Sequence, residues 1–391
     1  VRILLVHNAY QQYGGEDVTF ANERALLEQA GHEVYPLLFD NKGAETALGK
    51  VGLLWRSIYN PTSAAAVRQA IRAFAPDVMH VHNFFYTASA SIFYAAKAMG
   101  VPTVLTVQNY RLLCAGAYLM RNGQVCELCI QSTFPIHGAR YGCYKSGAMS
   151  AQLTLNTGLH KTAGTFKHQI DKYVVVTEFN KQKLAHSSLA LPEGQIIVKP
   201  NSVEDAGFAD PALRTGPYLF VGRLSPEKGV RTLLEAAKKG QFALEILGGG
   251  PLKEEVEAAA AQFSTINYLG FQPREAIIQK MKTARALLFP SVWYEGLPLT
   301  ILEAMSTGLP IIISNLGNLN EIVTQGHDGL WFAPGNADSL LDAITRYEAG
   351  DIAALAAGAR QTYLNRYTPA QNLAGLEAVY EALTSTPAYK S

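Results

Sequence analysis

The sequence predicts an α/β protein made of two doubly wound parallel sheets. Short β-branched runs alternate with amphipathic stretches from the first residue to about residue 350, as repeated strand–helix units do. The alternation lapses between Pro200 and Pro217, which carry Pro211, Gly207, Gly216 and several acids with little periodicity. The 391 residues also exceed what one hydrophobic core usually serves.

The elements follow in order. Arg2–Val6 reads as the first strand, Asp17–Gln29 as a helix entered through the Gly14–Gly15 turn and ended at Gly31, and His32–Leu38 as the second strand. Further strands are expected at Val78–Val81, Val101–Val107, Tyr173–Val176 and Ile196–Val198, with Thr177 capping the helix after the third of these. Beyond the lapse, strands are expected at Tyr218–Val221, Ala243–Leu247, Ile266–Gly270, Ala286–Phe289 and Pro310–Ser314. This gives a first domain over 1–200, a second over 201–368, and a C-terminal helical segment over 369–391. In that segment Leu373, Leu376, Val379, Tyr380 and Leu383 fall near one face and are expected to pack back on the first domain. Open α/β sheets bind ligands at the carboxyl ends of their strands, so a central cleft between two of them suits a two-part substrate.

Composition narrows the function. With 48% hydrophobic and 17% charged residues, the chain is a well-buried globular protein rather than a disordered one. A net charge of +1 offers no global field for nucleic acid, so an anionic ligand must be held by locally placed Arg and Lys. No apolar run reaches the roughly 18 residues of a spanning helix, and Val1–Val6 lacks a signal-peptide layout; a cytoplasmic location is the expectation.

Three segments carry chemistry. In Phe289–Glu303 a strand end leads through a Gly-Pro turn into a helix with Pro298 at its first position, which leaves the N–H groups of Leu299, Thr300 and Ile301 free for an anion. Glu295 stands before this turn and Glu303 in the helix, where a carboxylate can accept both hydroxyls of a ribose; the competing reading is two solvated surface acids. In Phe220–Gly229, Arg223 and Lys228 lie five apart on a strand-to-helix turn, close enough to converge on one diphosphate, or they are ordinary surface cations. In Asn8–Glu16, Gly14 and Gly15 allow backbone amides near a phosphate, but the spacing is not the G-x-G-x-x-G of dinucleotide dehydrogenases. Gly248-Gly-Gly-Pro251 ends a strand similarly, and turn chemistry explains it nearly as well.

Taken together, the E-x7-E pattern of Glu295 and Glu303, the run Gly222–Gly229 and the Gly14 loop resemble glycosyltransferase family 4 over nearly the whole chain. The resemblance implies a GT-B fold, two Rossmann-like domains facing a cleft, and metal-independent transfer of a sugar from a nucleotide-diphosphate donor with retention. It also implies synthesis of a cell-surface polysaccharide or glycoconjugate, on a glycan, lipid-linked or small-molecule acceptor. By it Arg223 and Lys228 bind the diphosphate, Glu295 lies by the donor sugar and Glu303 holds the ribose. Val78–Phe85 looks like the acceptor-side segment; His80 and His82 share a strand face, and His82, nearer the carboxyl end, is expected to reach the cleft unless both are core histidines. Many members carry a His where this chain has Gln108, followed by Asn109; Gln hydrogen-bonds a sugar hydroxyl but shuttles no proton. A sugar-nucleotide epimerase of the same fold and a non-catalytic nucleotide-sugar sensor are the alternatives.

Two further segments are ambiguous. Gly138–Gln169 sets Arg140, Lys145, Lys161 and Lys167 beside Leu153, Leu155, Leu159 and Phe166. An ordinary packed helix is the preferred reading and contact with an anionic membrane the second. Cys114, Cys126, Cys129 and Cys143 are spaced either for a structural zinc with no catalytic role or as four separately packed thiols.

Overall fold

The computed structural model describes residues 1–9, 14–40 and 55–385. Two compact units result: Val1–Tyr118 with Glu127–Pro200 and Asn372–Ser391, and Leu119–Cys126 with Asn201–Gln371.

The first unit is built on six parallel strands, β1 (Arg2–Asn8), β2 (Glu33–Phe39), β3 (Val78–Asn83), β4 (Thr103–Val107), β7 (Lys172–Val175) and β8 (Ile196–Val198). Between β4 and β7 runs a hairpin, β5 (Met120–Arg121) and β6 (Gln124–Val125), too short to show a period in the sequence. The sheet order is β2-β1-β3-β4-β7-β8, so the chain reverses direction across the sheet between β1 and β3. Strand β1 is buried from Ile3 to Asn8, as a strand covered on both faces should be. Strand β2 contains Pro36 and sits at the edge, where a missing N–H costs no ladder bond. Leu376, Val379, Tyr380 and Leu383 of the helix Pro369–Thr384 pack with Ile3, Leu5, Phe20 and Val78.

The second unit carries β9 (Tyr218–Val221), β10 (Leu244–Leu247), β11 (Ile266–Gly270), β12 (Leu287–Phe289), β13 (Ile311–Ser314) and β14 (Gly329–Phe332). Strand β14, only four residues long, has no counterpart in the sequence reading. Its order is β11-β10-β9-β12-β13-β14, all parallel, with the reversal between β9 and β12. Tyr218, Phe220, Ile246 and Leu288 from the strands meet Val230, Leu233, Leu340 and Tyr347 from the helices in one core.

The helix Gly147–Thr162 departs from an ordinary packed helix. Its buried face is mainly polar, with Ser150, Thr154, Asn156, Thr157 and His160 inside, while Leu155 and Leu159 face solvent. The inward groups are satisfied locally: Asn156 Nδ2 donates to Ser57 O at 2.8 Å, and a His160 ring nitrogen lies 3.0 Å from Ile58 O.

Candidate active site

In open parallel sheets ligands bind where the strand order reverses, outside the carboxyl ends. In the second unit that point lies between Val221 of β9 and Phe289 of β12, where two of the motifs emerge. The β9 loop reaches its helix through Gly229, whose φ is +70° and whose added Cβ would stand 1.8 Å from Pro290 O. Only glycine fits there, and the close approach locks the two motifs together.

Locked so, Lys228 Nζ donates to Glu295 Oε1 at 2.7 Å and to Oε2 at 2.8 Å. Trp293 Nε1 donates to Glu295 Oε1 at 2.8 Å, and the Ser291 hydroxyl donates to the same oxygen. Glu295 is 4% exposed, and Lys228 also lies 5.3 Å from the Trp293 ring centre. Glu295 is therefore no solvated surface acid; a buried carboxylate here is matched by one cation and neutral donors. Arg223, on the same loop, is exposed and has no ion pair among the described residues.

The helix after the turn spans Leu299–Ser306, with Pro298 at the N-cap, one place earlier than expected. Ile301 N–H donates to Pro298 O at 3.0 Å and is not free for an anion, because the first turn closes tightly; the amides of Leu299 and Thr300 come before any such bond. Glu303 is held by Arg274, Nε to Oε1 at 2.6 Å. Three residues before Arg274, Phe271 stands 86% exposed on the loop after β11. Gly248 has φ +138°, and a Cβ there would meet Gly222 O at 1.9 Å, so the loop after β10 is glycine because it packs on the β9 loop.

The reversal point of the first sheet is closed by polar contacts. Asn83 Nδ2 donates to Asn8 O at 2.7 Å, and Ala88 N–H to Asn8 Oδ1 at 3.0 Å. Tyr10–Tyr13 of the glycine-containing loop lie outside the described residues. Gly14 N–H donates to Asp17 Oδ2 at 2.9 Å, and Gly15 opens the helix. The Gly14 amide thus caps its own helix in this state, where an open phosphate donor was expected.

His82 is the clearest correction. Its side chain is fully buried, with Nε2 3.3 Å from Glu23 Oε2, rather than turned to a cleft. Glu23 also pairs with Lys199 in the interior, and His80 lies between the Tyr380 hydroxyl and Thr106 Oγ1, each at 2.7 Å. The reason is the inward face of β3, which points both histidines at the helix bearing Glu23. Burial alone would raise the Glu23 pKa, but the charges of Lys199 and His82 outweigh it and hold the carboxylate well below its ordinary range. Burial, and then His82, push His80 well below its ordinary value. Neither Glu23 nor Lys199 stands out in the sequence, since a lone acid on a helix and a lysine before a proline carry no pattern.

Gln108 and Asn109 share a small cavity of about 20 Å³ with His82 and Asn83, room for about one water. Asn109 Nδ2 donates to Glu16 Oε1 at 2.6 Å, and Gln108 Nε2 is buried with no hydrogen-bond partner among the described residues.

The cysteines also require correction. One group of three or more potential metal ligands lies within 4.8 Å of one another among the described residues, Glu23, His80 and His82, and no cysteine belongs to it. No disulfide joins the four cysteines, and no three of their sulfurs lie that close together. Cys126 closes the β5–β6 hairpin through its N–H to Leu119 O, whereas Cys129 and Cys114 are buried. Nor is the Glu23 group a vacant metal site: Lys199 already neutralises the carboxylate, and both His80 nitrogens are engaged.

Residues 214–362 match the family model of group 1 glycosyl transferases, and residues 14–135 match the glycosyl transferase 4-like domain. The chain belongs to the group 1, family 4 type of glycosyltransferases. The lipopolysaccharide 1,6-galactosyltransferase of Salmonella typhimurium is 28% identical over 46% of this chain and 54% of its own length. The UDP-Gal:alpha-D-GlcNAc-diphosphoundecaprenol alpha-1,3-galactosyltransferase of Escherichia coli is 32% identical over 39% of this chain and 45% of its own. The chain thus spans about half the length of these curated relatives. Among solved structures, a glycosyltransferase from Rickettsia africae superposes with a TM-score of 0.69 over 98% of this chain and 99% of its own, at 18% identity. Anabaena HepE in complex with UDP-glucose does so at 0.66 over 97% of this chain and 99% of its own, at 16% identity. At such identities the likeness establishes the fold, which is GT-B, with two Rossmann-like parallel-sheet domains. No helix among the described residues is long and apolar enough to cross a membrane.

Proposed function

We propose that the chain moves a sugar from a nucleoside-diphosphate donor to an acceptor hydroxyl, with retention and without a metal, in the synthesis of a cell-surface polysaccharide or glycoconjugate. The observation that carries this is the pairing of Lys228 with the buried Glu295 at the reversal point of the second sheet, beside an uncommitted Arg223. Arg223 and Lys228 take the diphosphate, joined by the amides of Leu299 and Thr300. As the bond from the anomeric carbon to phosphate breaks, charge builds on the leaving oxygens and these fixed donors stabilise it. The acceptor hydroxyl attacks from the face the phosphate leaves, and a leaving phosphate oxygen takes its proton. Released from Lys228, Glu295 accepts hydrogen bonds from the donor sugar's hydroxyls. Gln108 and Asn109 are the acceptor-side polar groups; a glycan, a lipid-linked sugar or a small molecule supplies the hydroxyl.

Glu303, oriented by Arg274, takes the ribose hydroxyls, and the exposed ring of Phe271 offers the base a face. Glu303→Ala should therefore weaken nucleoside-diphosphate binding by about tenfold to a hundredfold, the worth of a hydrogen bond to a charged group. Calorimetry with the nucleotide alone checks this, and an unchanged Kd would remove the ribose assignment. Transfer itself is tested by thermal shift across nucleotide sugars, then by following release of the nucleoside diphosphate with the stabilising donor. Binding with neither transfer nor hydrolysis would describe a sensor instead.

A further inference from the structure

The helix Gly147–Thr162 is inside out. Its solvent-facing residues recur at Ala148, Ala151, Leu155, Leu159 and Thr162, a helical stripe that is apolar for its first four positions. Leu155 is 43% and Leu159 39% exposed, while polar groups fill the inward face. A helix that needed only to pack would place the leucines inward and the Asn, Thr and His outward. Ile136, 60% exposed, and Tyr141, 43% exposed, lie on and just past the short helix Ile136–Arg140, which packs on this one. The segment itself carries one sign of charge. From Leu128 to Ile170 the chain holds no Asp or Glu, and Arg140, Lys145 and Lys167 are exposed. Lys161 is not part of this surface, because its ammonium is turned onto Ser132 O and Ser188 Oγ.

We propose that this face is a membrane-docking surface, with the Leu155–Leu159 stripe entering the headgroup boundary of an anionic bilayer and Arg140, Lys145 and Lys167 meeting its phosphates. From Ala148 to Leu159 the stripe runs about 16 Å at the helical rise, long enough for a helix lying in the plane of an interface. A protein partner of ordinary composition would meet the three cations with acids of its own, but a lipid surface supplies negative charge without needing a fitted shape. The proposal goes beyond the transfer reaction and does not depend on the donor site.

The test is co-sedimentation of the full chain with vesicles of phosphatidylcholine mixed with phosphatidylglycerol, and with phosphatidylcholine alone. Binding is expected only to the anionic vesicles, weakening with salt. The double variant Leu155→Ser/Leu159→Ser should lose about tenfold or more of the partitioning, since membrane affinity scales with buried apolar area. Arg140→Gln/Lys145→Gln should lose about thirtyfold, at about 1 kcal/mol for each of the two cations near the surface. Nucleoside-diphosphate binding and circular dichroism should stay as in the parent protein, which shows that the variants fold. Absence of binding to anionic vesicles, or equal binding by parent and leucine variant, would overturn the proposal. So would a concentration-dependent dimer in velocity sedimentation that the leucine variant abolishes, which would give the stripe to a second copy of the chain.

Discussion

Lys228→Ala should lower kcat by about two to three orders of magnitude, the roughly 2.7–4 kcal/mol that a fixed donor contributes where charge develops on a leaving group. The substitution has a second consequence that Arg223→Ala lacks. In the free protein Lys228 binds both oxygens of Glu295, which is 4% exposed and otherwise held by Ser291 and Trp293. Without the ammonium that carboxylate keeps its buried charge and stands next to the incoming diphosphate, so repulsion is added to the lost attraction. Arg223→Ala removes only an exposed guanidinium and should cost the smaller end of the range. Steady-state rates with the donor found by thermal shift, together with nucleotide affinity, separate the two effects. Lys228→Ala should also weaken nucleoside-diphosphate binding, whereas Glu295→Ala should lower kcat with little change in that affinity. Rates within about threefold of the parent for both cation variants would move the phosphate site elsewhere, since a lost charge-assisted contact is worth more than that.

The second unit's site was legible because its parts are local. Gly229 must be glycine where the chain passes Pro290, and the motifs on either side of that contact are contiguous runs with the residue types a phosphate site needs. What the sequence left unmarked are the groups that hold the two acids: Trp293 lies within the Phe289–Glu303 run but is one tryptophan among three, and Arg274 sits on another helix, 29 residues before Glu303. The first unit was read well in its strands and poorly in its interior. Alternation identifies a strand but not what its inward face meets, so His80 and His82 could be placed on one face without showing that Glu23 and Lys199 close over it. Thr177 was readable for the opposite reason, since a cap depends on a partner three residues away, and Asn180 N–H does donate to its hydroxyl. The cysteine spacing left two readings open because two flanking cysteines specify ligands only if the chain between them folds back, and spacing alone does not fix that path.

Lys199→Met should destabilise the first unit by about 3–5 kcal/mol, the penalty for leaving one member of a buried ion pair unpaired. Lys199 is 2% exposed, its ammonium bonds Glu23, and His82 Nε2 is 3.3 Å from the other carboxylate oxygen. The double variant Glu23→Leu/Lys199→Met should recover most of that loss, because no charge is left to solvate. Urea unfolding of the four proteins of the cycle measures the coupling, and a loss below about 1 kcal/mol in Lys199→Met would mean the pair is solvated. Acidity should act on the same cluster in two stages. His80 is depressed below its ordinary 6.5 by burial and by His82, so below pH 6.5 the unfolded chain takes up a proton that the folded one refuses, and stability falls. Glu23 is depressed below its ordinary 4.5, so its contribution is complete above pH 4.5 and is lost as the pH drops from there toward the folded value. The loss should therefore begin near pH 6.5 and steepen below 4.5, and in Glu23→Leu/Lys199→Met the lower stage should disappear while the histidine stage remains. The cluster sits where the chain leaves and re-enters this unit: Pro200 follows Lys199, and Asn372 Nδ2 donates to Pro200 O at 2.8 Å. Loosening it should free both crossings, which hydrogen exchange at Val198–Asn201 and at the start of the Pro369–Thr384 helix would register as faster opening in Lys199→Met.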